Sequence, residues 1–210
     1  MTYQTEEEQV EALKQWWKEN GRSVVAGVVL GLGAVLGWRG WHQYQESLAG
    51  QASTAFEQLS ASIAGADRQA TRSQAEQILG KFHSSPYAVF SALALARSYA
   101  EDGNAAAART QLEWALANAG EPALEHVARL RLARLLLDGG DLAGVDGLLQ
   151  GVEPGSFADQ YARLRGDLAL ARGDAAGART AYAEALAEGG DFDGLVRMQL
   201  DELGAAGGGQ

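Results

Sequence analysis

Residues Ser23 to Trp41 read SVVAGVVLGLGAVLGWRGW, and from Val24 to Trp38 every one is apolar or glycine. A helix of that length reaches about 28 Å, close to the ~30 Å hydrocarbon core of a bilayer once Arg39 snorkels its guanidinium to the interface. The run predicts a single transmembrane helix over 23–41, with a short segment, 1–22, on one side of the membrane and the bulk of the chain on the other. A cleaved signal peptide competes with this, but the leader is long, is acidic at Glu6, Glu7, Glu8 and Glu11, and carries a helical pattern of Val10, Leu13, Trp16 and Trp17. A buried core helix also competes, weakened by the glycine content and by the lack of a second apolar segment to cover it.

Charge beside the span sets its orientation, because Lys and Arg resist transfer while acidic residues count for little. Lys14, Lys18 and Arg22 precede the run; Arg39 alone follows it closely, and the next cation is Arg68. The N-terminus is expected in the cytoplasm and the C-terminal part outside it. Trp16 and Trp17 on one side, with Trp38, Trp41 and Tyr44 on the other, suit the two aromatic belts. Within the span, Gly27, Gly31, Gly33 and Gly37 form two small-xxx-small pairs on neighbouring faces, which either admit a partner helix or reflect the tolerance of membrane helices for glycine.

Past His42 the chain holds 13 Lys or Arg against 22 Asp or Glu. That acidic balance argues against nucleic acid and anionic lipid surfaces as partners. The chain has no cysteine, hence no disulfide framework, thiol nucleophile or cysteine metal site. Alternating strand patterns are missing, and Ala, Leu, Arg, Glu and Gln dominate, so the fold class is all-α. Helices are expected from about Ala52 to Ala64, from Arg68 to Phe82, and from the pair Ser85-Pro86 onward.

Three turn dipeptides, Gly103-Asn104, Gly140-Asp141 and Gly173-Asp174, lie 37 and 33 residues apart. Such spacing predicts a repeat. Seven residues before each glycine stand Ala96, Ala133 and Gly166; five after stand Ala108, Val145 and Ala178; nine after, Leu112, Leu149 and Tyr182; twelve after, Ala115, Val152 and Ala185. Small side chains at fixed distances from a turn are what two closely packed antiparallel helices require. A last amphipathic helix bearing Phe192, Leu195, Val196, Gln199, Leu200 and Leu203 is expected to cap the stack, and 204–210 to form a flexible tail.

The stretch GDAAGARTAYAEAL, with Gly173, Ala178, Tyr182 and Ala185, resembles a tetratricopeptide repeat, and Leu95, Ala96 and Tyr99 match the first helix of an earlier copy. Arg165, where an apolar residue is expected, and Val145, where Ala is usual, depart from the pattern. The parts and their order, above all ENGRSVVAGVVLGLGAVLGWRGW and LRGDLALARGDAAGAR, resemble the YfgM family of Gram-negative inner-membrane proteins. The resemblance implies an ancillary subunit of the SecYEG translocon, single-pass, with a tetratricopeptide-like periplasmic domain over 42–203. It also implies a membrane-anchored periplasmic prolyl isomerase-like chaperone as partner, the handing on of exported client polypeptides, and stress signalling through a cytoplasmic response regulator. A structural scaffold for envelope assembly is the alternative from another class.

No catalytic pattern emerges. His42, His83 and His126 lie far apart without metal-ligand spacing, Gly31-x-Gly33 sits inside the apolar run, and Asp138, Asp141 and Asp146 suit turns and caps. A non-enzymatic protein with no cofactor and no metal is expected, and its function should lie in surfaces. First helices of successive tetratricopeptide-like repeats line a concave face, which helix geometry predicts to carry Phe90, Leu93 and Arg97, then Val127, Leu130 and Arg134, then Arg163 and Asp167. Apolar side chains beside guanidinium groups suit an amphipathic or acidic peptide.

Overall fold

The computed structural model describes residues 6–190 and 193–207. Helices are α1 (Glu6–Ala64), α2 (Arg68–Lys81), α3 (Pro86–Glu101), α4 (Ala105–Asn118), α5 (Pro122–Asp138), α6 (Leu142–Leu149), α7 (Ala158–Ala171), α8 (Ala175–Glu188) and α9 (Asp193–Gly207), and no strand occurs among the described residues. The chain divides into two compact units, Met1–Gln51 and Ala52–Gln210, with the boundary inside α1.

In the first unit the apolar run forms part of α1, the one helix among the described residues long and apolar enough to cross a membrane. Its large side chains, among them Val28, Leu30, Leu32, Leu36 and Trp38, are exposed. A polypeptide in water would bury such a face; a bilayer removes the need.

The second unit is built from helix pairs. Its recurring turn explains why Gly-Asn and Gly-Asp steps punctuate the sequence. Gly103, Gly140 and Gly173 have φ of 74°, 77° and 78°, the left-handed conformation that a Cβ penalises. The next residue donates its N–H five residues back, Asn104 to Tyr99 O, Asp141 to Leu136 O and Asp174 to Ala169 O, at 2.8 to 2.9 Å. That residue then caps the following helix: Asn104, Asp141 and Asp174 accept from the N–H of Ala107, Gly144 and Gly177 at 3.1, 2.9 and 2.8 Å. One dipeptide thus closes one helix and opens the next.

A fourth turn has the same construction with alanine rather than glycine at the left-handed position. Ala66 takes the left-handed position at φ 53°, Asp67 donates to Ser62 O at 3.0 Å, and the Asp67 carboxylate accepts from the Ala70 N–H at 3.0 Å. The hydroxyls of Ser62 and Thr71, both buried, meet at 3.1 Å across it.

Close packing follows from the small residues. Ala96, Ala108, Ala115, Ala133, Ala178 and Ala185 are all buried, and a methyl group on Gly166 would overlap the ring of Tyr182. Three apolar clusters succeed one another. The first joins Leu59, Ala75, Ile78 and Leu95; the second, from Val89 to Leu168, spans α3 to α7; the third joins Ala162, Ala178, Tyr182 and Ala185 to Val196 of α9. Leu200 and Leu203 pack on the third cluster as expected of a cap, Leu195 stays exposed, and Phe192 lies outside the described residues.

The expected repeat positions meet two departures. Helix α6 stops at Leu149, ahead of Val152, so Val152 packs from a loop rather than a helix turn. Gly144 and Gly147 weaken that helix, and Gly151, at φ 67°, follows its end. At the C-terminus α9 continues to Gly207, so 204–207 is helical where a flexible tail was expected, and 208–210 lies outside the described residues. Arg165, the polar misfit in the repeat, donates to Glu184 of α8 at 2.8 Å and so joins the two helices by charge.

Candidate functional site

A groove of about 710 Å³ opens between α1, α3 and α5 in the second unit, with residues of α2 at one end. Alternate helices supply its walls because the first helices of successive pairs share one face. Phe56 and Ile63 come from α1, Phe90, Leu93 and Ala94 from α3, and Leu124 and Val127 from α5. Phe56 stands between Tyr87 and Phe90, with ring centroids 5.1 and 5.7 Å away. Phe90 and Ile63 are 41% and 42% exposed, which leaves two large apolar side chains facing solvent in a concave site.

Charged groups edge this apolar surface. Arg68 donates to Asp102 at 2.8 Å, and Arg72 pairs with the other oxygen of that carboxylate while lying 5.0 Å from the Tyr99 ring centroid. The hydrogen bonds from Arg72 and then Arg68 hold the Asp102 carboxyl below its usual range. Arg97 donates to Glu101 at 2.8 Å, an exposed pair one helical turn apart.

Arg131 is different. It lines the groove, and partial loss of hydration followed by the nearby Arg97 guanidinium pull its pKa down. Arg134 is lowered as well, by burial first and by Arg163 next, against the opposing pull of Asp167 and Asp159, with Arg131 adding to the repulsion. Asp167 in turn accepts from Tyr182 Oη at 2.7 Å and Gln199 Nε2 at 3.3 Å. Burial and then that bond raise the pKa of Tyr182. Arg97, Arg131, Arg134 and Arg163 therefore run as a row over α3, α5 and α7, each within electrostatic reach of the next.

Of the residues predicted for this face, Phe90, Leu93, Arg97 and Val127 line the groove. Arg134, Arg163 and Asp167 gather beyond it. Leu130 does not face the groove: it is buried in the second apolar cluster, because the open face of α5 follows Leu124, Val127 and Arg131. Phe56, Ile63 and Arg131 were missed. A shift of one residue on α5 exchanges Leu130 for Arg131, and Phe56 and Ile63, seven apart on α1, were the available signal.

Elsewhere, Gly27, Gly31, Gly33 and Gly37 have nothing within 4 Å of where a Cβ would stand. His42 pairs with Glu46, and His126 meets the Tyr161 hydroxyl at 3.0 Å and packs tilted against Phe157, ring centroids 5.0 Å apart. Asp141 is a helix cap and Asp146 pairs with Arg172. Among the described residues no group of three His, Asp or Glu is placed to hold a metal ion.

Known proteins resemble the chain over most of its length. The tetratricopeptide repeat-like domain family matches residues 14–205. A Haemophilus influenzae protein named ancillary SecYEG translocon subunit is 33% identical over 205 residues, 97% of this chain and 100% of its own length. Proteins of the same name from Escherichia coli and Neisseria gonorrhoeae are 32% and 27% identical, over 86% and 94% of this chain and 86% and 97% of their own lengths. No solved structure matches. The chain belongs to the YfgM family of ancillary SecYEG translocon subunits, with their tetratricopeptide repeat-like domain.

Proposed function

We propose that this chain is a non-enzymatic, single-pass subunit attached to the Sec translocon of a bacterial inner membrane. Its N-terminus lies in the cytoplasm and its helix pairs in the periplasm, where they bind a membrane-anchored prolyl isomerase-like chaperone and pass exported chains to it. The observation that carries this is the length of the likeness: relatives named for the translocon align across leader, apolar helix and helix pairs together, up to 97% of the chain. The placement of Lys14, Lys18 and Arg22 before the span supports the orientation. Holding a chaperone beside the exit of a channel raises its effective concentration for each emerging chain, so no chemistry is asked of the subunit.

The exposed Leu13, Trp16 and Trp17 of the leader favour a second role on the cytoplasmic side, the docking of a response regulator. Because the chain has no cysteine, a single introduced thiol reports topology directly. Lys14→Cys should resist, and Gln51→Cys accept, a membrane-impermeant maleimide in intact spheroplasts; the reverse pattern overturns the orientation. Mild-detergent purification should bring translocon subunits with the chain, and their absence overturns the assignment.

A further inference from the structure

We propose that the groove between α1, α3 and α5 takes a partner polypeptide segment whose internal acidic side chains pair with Arg131 and Arg97 while its apolar side chains lie on Phe56, Phe90 and Val127. This rests on the binding role proposed above and names the chemistry of what is bound.

Three observations converge. First, the groove leaves Phe90 and Ile63 to solvent beside the buried Leu93, and apolar side chains of an occupant would take that surface out of water. Second, no carboxylate among the described residues pairs with Arg131; of the acidic residues lining the groove there is only Glu101, and it is held by Arg97. Arginine stays protonated under these conditions, so the crowding of Arg131 against Arg97 is relieved by an incoming carboxylate rather than by loss of a proton. Continuing the row, Arg134 has its Nη2 buried without a hydrogen-bond partner. Third, the chain past His42 carries 22 acidic against 13 basic residues. An acidic segment is thus repelled by most of the surface and drawn to this row, which gives the groove selectivity.

The internal pair makes a second expectation. Glu101 competes with any incoming carboxylate for Arg97, so Glu101→Gln should tighten binding while a merely structural ion pair would leave it unchanged.

The test uses the full chain in nanodiscs and two short fluorescent peptides of one pattern of Leu and Phe, one carrying Glu pairs and the other Gln. The Glu peptide should bind about tenfold more tightly than the Gln peptide, and the difference should shrink at high salt. Arg131→Glu should abolish the preference and Glu101→Gln should strengthen it, with helical content and span crosslinks to the translocon unchanged. Binding at the same strength by both peptides, failure of the Glu peptide to bind, or indifference to Arg131→Glu overturns the proposal. Photo-crosslinks from Val127 that reach only a second copy of this chain overturn it too. Loss of the span crosslinks with the groove preference intact would instead count against the translocon assignment.

Discussion

Gly166 lies beneath the ring of Tyr182, and that one pair sets how closely α7 and α8 approach. Tyr182 is fully buried and its hydroxyl is fixed on Asp167, so the ring has no room to yield to a new methyl group. Gly166→Ala should cost about 1–3 kcal/mol by overpacking, despite the better helix propensity of Ala, seen as a lower urea midpoint in detergent. Ala66 offers the opposite case. Its left-handed backbone, φ 53°, is one that glycine adopts without penalty, so Ala66→Gly should stabilise the second unit by roughly 0.5–1 kcal/mol, read by the same midpoint. A midpoint that falls would mean the turn is held by more than its backbone preference.

Helices meet through repeated turns and a few charged struts. Asp102 at the end of α3 receives both Arg68 and Arg72 of α2, and its pKa is lowered accordingly. A depressed carboxyl contributes stability that is present above the unfolded value of about 3.9 and is lost as pH falls through the lower folded one. Asp102→Asn should therefore unfold at lower urea than the native chain at pH 7. The gap should narrow with salt and close as pH falls below about 4; a gap constant with pH would assign the effect to shape rather than charge. At this scale the sequence was readable wherever one residue type had one physical use. Gly103, Gly140 and Gly173 declared three turns because only glycine is at ease there. The break between Ala64 and Arg68 was read as well, but not its kinship with the three glycine turns, because alanine at the left-handed position gives no such signal. Val152 misled because its spacing assumed a full-length helix, whereas Gly144, Gly147 and Gly151 shorten α6. Leu130 and Arg131 were exchanged because a helix face is fixed only to within one residue until its neighbours are known.

For the molecule as a whole, two kinds of surface were legible to different degrees. The apolar run declared itself by length and composition, and α1 leaves its side chains exposed as a bilayer-facing helix would. The groove was legible only in part, because Phe56 and Ile63 reach it through contacts between helices distant in sequence. The relatives are named for the translocon, and the central claim of the proposed function is that the span lies against it. Photo-crosslinking in intact membranes from Val28, Leu32 and Val35, with adducts identified by mass spectrometry, tests this most directly. Adducts to translocon subunits are predicted; adducts solely to copies of this chain, or to outer-membrane assembly proteins, would contradict it.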